Sequence, residues 1–134
     1  MIAVVCDSNV YISAIVFGGQ PREVVACGER GAFQLLVSSA VIAEVETILD
    51  RKFGWEPQRL IRIVNPIWRA TRLVEVRLVI RECRDPKDNH LLALALEAGA
   101  EFIVTGDRDL LVLHPFRGVQ ILCPAAFLAA GPWK

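Results

Sequence analysis

The chain has no stretch near the roughly 18 uninterrupted apolar residues that a membrane helix needs. Its first apolar run, Ile2–Cys6, is short, has no basic lead and ends at Asp7. That is not a signal-peptide pattern, and a cytoplasmic protein without a membrane partner is the expectation. The four cysteines, Cys6, Cys27, Cys83 and Cys123, form no C-x-x-C pair. They read as small buried thiols of a reduced protein, not a disulfide or zinc framework. Histidine is confined to His90 and His114, too few for a histidine metal cluster. Neither G-x-G-x-x-G nor G-x-x-x-x-G-K occurs, so no phosphate-cradling loop is expected.

Lysine is scarce too: Lys52, Lys87 and Lys134 are all there is. The positive charge is therefore almost entirely arginine, which grips phosphate through paired hydrogen bonds. Formal net charge is zero over 134 residues. Between Arg51 and Arg84, however, nine basic residues face three acidic ones, a net +6 that leaves −6 elsewhere. This region is either a solvated helical face or a surface for nucleic acid or an acidic partner. A length of 134 residues predicts one domain with its own core. The hydrophobic fraction, 54%, exceeds the usual ~45–50%. That suggests a large core and apolar surface covered by another chain.

Short apolar runs alternate with helix-like segments. Strands are expected at Ile2–Cys6, Phe33–Val37, Leu73–Val76, Phe102–Val104 and Val119–Leu122. Helices are expected at Asn9–Phe17, Pro21–Glu29, Ser38 to about Arg51, Gln58–Arg69, Pro86 to Gly99, Asp107–Val112 and Pro124–Ala129. Pro66 predicts a kink or break. The stretch Arg77–Glu82 has no clear assignment. Such alternation predicts a parallel sheet with helices on both faces.

Four acidic segments punctuate this pattern: Asp7-Ser8-Asn9, Glu44, Asp85-Pro86-Lys87-Asp88-Asn89, and Thr105-Gly106-Asp107-Arg108-Asp109. In open parallel sheets, ligands bind beyond the carboxyl ends of the strands, where strand order reverses. Asp7 ends one apolar strand and Asp107 closely follows another. Neighbouring strands would bring both into one crevice. Asp88, in the first turn of its helix, can reach the same edge if the third strand lies nearby. Glu44 falls beside Ile48 at the edge of an apolar stripe, whereas Glu46 and Asp50 are expected in solvent. Taken singly, each acid has a plainer use as a helix cap, dipole partner or rim charge, and Asp85 is best explained as a cap. Gathered together, they repel and require a cation or a proton. Oxygen ligands suit Mg2+ or Mn2+, and such a site points to phosphodiester hydrolysis. Ser8, Asn9, Asn89 and Thr105 offer short groups able to orient metal ligands or water.

In order, spacing and strand context, these motifs resemble PIN-domain proteins, most nearly the toxin branch of toxin–antitoxin pairs. The resemblance covers essentially the whole chain. It implies a three-layer α/β/α sandwich and an Mg2+- or Mn2+-dependent endoribonuclease. Asp7, Glu44, Asp88 and Asp107 match the catalytic acids, with Asp7, Asp88 and Asp107 at the metal and Asp109 as accessory. It also implies an RNA substrate, a homodimer, and an antitoxin that blocks the acidic groove. Arg108, Arg51 and Arg84 are expected to hold RNA phosphates. Trp55 and Trp68 either stack an unpaired base or pack in the core or a dimer contact. The alternatives are an RNA-processing nuclease without a toxin role and a non-catalytic PIN-like binding module. A phosphatase with a nucleophilic aspartate fits poorly, because position 9 is Asn9 and lysine is so rare.

Overall fold

This computed structural model describes residues 1–83 and 85–133, and of Lys87 the backbone. Five parallel strands form one sheet: β1 (Ala3–Cys6), β2 (Gln34–Val37), β3 (Thr71–Leu73), β4 (Phe102–Val104) and β5 (Gln120–Leu122). Their order is β3-β2-β1-β4-β5. Strand order therefore reverses between β1 and β4, which pair Val5 with Ile103 and Cys6 with Val104. The central runs are apolar throughout because helices cover both faces, and Val4, Val5, Leu35, Leu36, Ile103 and Val104 are buried. The expected third strand is displaced: β3 begins at Thr71, and from Val74, whose N–H still donates to the Val37 carbonyl, the chain lies outside the named strands.

The helices are α1 (Ser8–Val16), α2 (Gly19–Glu29), α3 (Ser39–Phe53), α4 (Pro57–Arg59), α5 (Asn65–Arg69), α6 (Asn89–Ala98), α7 (Arg108–Leu111) and α8 (Pro124–Ala129). α1 packs on α2 and α3, and α2 on α8, whereas α6 lies against β1 and β4. Right-handed crossovers require this division: β1→β2→β3 steps one way and β3→β4 the other, so α6 takes the opposite face. The result is the three-layer α/β/α sandwich. Among the described residues, no helix is long and apolar enough to cross a membrane.

Pro66 does not break its helix. A π-helical stretch, Leu60–Val64, joins α4 to α5, and the Asn65 N–H bonds the Leu60 carbonyl. That wider turn sits just ahead of the ring, which would otherwise collide with the carbonyl four residues back. Near the amino-terminal ends of the strands, Phe33, Phe102, Phe127 and Trp133 interlock, with Phe127 and Trp133 stacked at 4.6 Å. Asp7, Asp88 and Asp107 lie at the opposite, carboxyl edge.

α2 meets β2 too closely for any side chain at Gly28. A Cβ there would lie 2.5 Å from Leu35 Cδ1, and Leu35 is buried. In an exposed helix, Gly→Ala would gain up to about 1 kcal/mol. Here overpacking, at about 1–3 kcal/mol, wins. Gly28→Ala should therefore lower stability in urea unfolding; a more stable variant would show that β2 has room to shift.

Candidate metal centre and active site

β1 delivers Asp7 to the carboxyl edge, and its N–H continues the ladder by donating to the Val104 carbonyl at 2.9 Å. Asp7 then caps α1: the Asn9 N–H donates to its Oδ1 at 3.3 Å. Asp107 does the same for α7, where the Asp109 N–H donates to its Oδ1 at 2.9 Å. Between them stands Thr105, fully buried. Its hydroxyl donates to Asp7 Oδ2 at 2.8 Å and accepts the Asp107 N–H at 3.0 Å. One side chain thus fixes both acids.

Asp88 arrives from the other side. Asp85-Pro86 opens a 3-10 turn, Pro86–Asp88, closed by the Asp88 N–H on the Asp85 carbonyl at 3.0 Å. The α-helix proper starts at Asn89, three residues later than expected, and ends at left-handed Gly99. Carboxylate oxygens of Asp7, Asp88 and Asp107 lie within 4.8 Å of one another. Oxygens bound to one magnesium ion at about 2.1 Å stand at most about 4.2 Å apart. Neighbouring positions of the octahedron stand only about 3 Å apart, so the side chains would draw in by up to roughly 1–2 Å to share one ion. Asp88 Oδ2 is buried and receives no hydrogen bond from the described residues, as an open ligand position would. An all-oxygen set of three acids suits a hard divalent cation, so these residues fit the group.

The electrostatics show the strain of crowding. Burial, then a hydrogen bond with Asp107, then the charges of Asp107, Asp7 and Asp85 push Asp88 up to about 7. Burial also raises Asp7; hydrogen bonds from Thr105 and Asn9 oppose this, and the charges of Glu44 and Asp107 add to it.

The other expected residues are placed unevenly. Glu44 is exposed, stands outside the trio, and acts on Asp7 through its charge. The expectation that Glu44 faces inward and Glu46 outward is corrected: Glu46 is half-buried and accepts the Trp68 Nε1–H at 3.0 Å. Trp68 lies on α5, which packs where sequence placed only solvent. Asp109 supplies its N–H to Asp107 and stands outside the trio. Ser8 is buried and Asn9 exposed. Asn89 serves the local loop instead, accepting the Cys83 N–H at 2.8 Å. Arg108 is exposed beside Asp107. Arg51 lies in the last turn of α3, twelve residues beyond Ser39. That is about 18 Å along the helix from the carboxyl edge, so the structure does not bring it to the acids. Arg84 lies outside the described residues. Trp55 is buried, with the Arg59 guanidinium 4.0 Å from its ring centre, which takes it out of base stacking.

Cys83 is the buried thiol expected, but its place beside the site escaped the sequence reading. It is buried, its thiol donates to the Asp109 carbonyl at 3.6 Å, and its N–H goes to Asn89. It ties the segment before Asp88 to the first turn of α7. A contact across 26 positions leaves no local signal.

The raised acids predict a pH dependence. An unfolded aspartate titrates near 3.9, whereas folded Asp88 holds its proton to about 7. Between these values the folded state binds more protons, so stability falls as pH rises from about 4 to about 7. In chelator, Asp88→Asn should flatten that decline in thermal melts across the window. A slope unchanged by the substitution would contradict the crowding.

Residues 3–109 match a family model described as PIN domain, a span that includes Asp7, Glu44, Asp88, Asp107 and Asp109. An uncharacterized protein of Methanocaldococcus jannaschii is 27% identical over 118 residues, covering 84% of this chain and 76% of that protein. The crystal structure of PAE2754 from Pyrobaculum aerophilum superimposes with a TM-score of 0.54 at 17% identity, over 98% of this chain and 91% of that one. At that identity the likeness is one of fold. Members of the matched family are generally nucleases, and this chain belongs to the PIN-domain family.

Proposed function

We propose that the protein is a divalent-cation-dependent endoribonuclease whose centre is Asp7, Asp88 and Asp107. The observation that carries this reading is the convergence of three carboxylates within 4.8 Å, with a buried Asp88 oxygen that receives no hydrogen bond from the described residues. Mg2+ or Mn2+, held by those three acids, would offset their charge, polarise a phosphoryl oxygen and acidify water. Thr105 keeps Asp7 and Asp107 in register for that task. Glu44, exposed at the rim and close enough to affect Asp7, is suited to take the proton of an attacking water. Arg108 is suited to hold a flanking phosphate. Phosphodiester hydrolysis in this arrangement would leave a 5′-phosphate and a 3′-hydroxyl. The motif resemblance further favours the toxin of a toxin–antitoxin pair, with the acidic pocket as the surface an antitoxin occludes.

Purified protein should cleave single-stranded RNA with manganese and stop in chelator. Asp7→Asn should lower the rate by at least about 100-fold, since it removes a charged ligand and turns one of the two acceptor oxygens that serve Thr105 and Asn9 into a donor. Cleavage that survives chelator or Asp7→Asn would remove this reading. Thr105→Val should keep the fold yet weaken manganese binding about 10–100-fold, as loss of a ligand-orienting group does. Unchanged affinity in a calorimetric titration would mean that Thr105 serves only the backbone.

A further inference from the structure

A second recess opens beside the acids, in the layer opposite α6. It holds about 110 Å³ and is lined by Asn9, Val10, Ser13, Pro21, Gly106 and Pro124. Asn9, Val10 and Ser13 come from α1, Pro21 from α2 and Pro124 from α8. Gly106 directly precedes Asp107, and Asn9 follows Asp7 by two positions. The recess therefore borders the two chain segments that carry these acids.

Gly106 has no local need to be glycine. It is not among the residues of positive φ, and a Cβ there would meet no atom within 4 Å. The space that a Cβ would take is open, as close approach of a ligand to the backbone requires. Asn9 and Ser13 stand one helical turn apart on the same face. Among the described residues, neither side chain has a hydrogen-bond partner. The Asn9 amide can donate and accept at once.

The lining selects the ligand. Among the described residues, no lysine or arginine borders the recess, and the neighbouring acids repel anions. A second phosphate is therefore a poor occupant. Val10 and the two proline rings offer rigid apolar faces, while Asn9 and Ser13 offer hydrogen bonds. Apolar walls with a few polar groups suit an uncharged planar heterocycle. On single-stranded RNA that group is an unpaired base, read by its face and its edge.

We propose that this recess is a base-reading subsite. It takes the nucleobase of a nucleotide flanking the scissile phosphate, and the Asn9 amide selects that base. The inference rests on the nuclease reading, because a phosphate at the three acids is what brings the base within reach. A matched base edge satisfies both the donor and the acceptor of the amide, whereas a mismatched edge leaves groups unpaired. Asn9 is thus a specificity residue, and Gly106 keeps the entrance clear.

Two measurements test it. In the first, a random-sequence single-stranded RNA pool is cleaved with manganese and the cut ends are sequenced. Wild type should favour one base over the least favoured by at least ~5-fold at a position beside the cut. Asn9→Ala retains the N–H that Asp7 accepts and should bring the four bases to within ~2-fold of one another. A wild type without preference, an unchanged ranking, or an equal fall for all four bases would overturn the proposal and leave the nuclease reading intact. The second measurement needs no cleavage. In two-dimensional NMR with magnesium, the four nucleoside 5′-monophosphates should move the Asn9 side-chain amide and the Gly106 N–H saturably, with base-dependent affinity. Gly106→Ala, verified as folded by circular dichroism, should weaken that binding at least ~3-fold, because its methyl enters the open space. Ribose 5-phosphate producing the same shifts, or no shift at Asn9 and Gly106, would overturn the proposal. Base-dependent shifts in a protein that cuts no RNA would uphold base recognition in the recess and remove the nuclease reading alone.

Discussion

Three carboxylates share a space too small for three negative charges, and the architecture of the carboxyl edge follows from holding them there. Left alone, they resolve the repulsion by keeping a proton on Asp88 up to about pH 7. The fold pins the other two with donors: a threonine hydroxyl and an amide for Asp7, an amide for Asp107. This is preorganisation for charge. The fold orients the acids by itself, and their repulsion is free energy that the proposed cation would relieve.

Topology makes the crowding feasible. Reversal of strand order between β1 and β4 separates the loops that leave them, so Asp7 and Asp107 flank a crevice. Asp88 enters from a crossover on the opposite face, fixed by Cys83 and Asn89. At the far end of the strands, the packed aromatic cluster of Phe33, Phe102, Phe127 and Trp133 gives a rigid base. An apolar core thus supports a polar edge that is unfavourable by itself, as functional sites often are.

Local chemistry was legible wherever local chemistry decides. The buried strands announced themselves as unbroken apolar runs, and Gly99 marked the end of α6 because only a left-handed residue closes that helix. Asp7 was conspicuous because an acid directly after such a run must find partners. Contacts between distant segments were not legible. The inward turn of Glu46 depends on Trp68, 22 positions away, and Trp55 is buried beneath Arg59 instead of open to a ligand. Arg51 was grouped with the site by charge, whereas helix length carries it to the far end of α3. The stretch Arg77–Glu82 defied assignment because its start is held by Glu97, a residue some twenty positions on.

The claim that a single hard cation joins Asp7, Asp88 and Asp107 is tested most directly by calorimetric titration of manganese at pH 6, repeated in two buffers with different heats of ionisation. Proton release accompanying saturable binding to one site is the predicted result, because Asp88 must give up its proton to become a ligand. Binding with no proton release, or no saturable binding, would contradict the account.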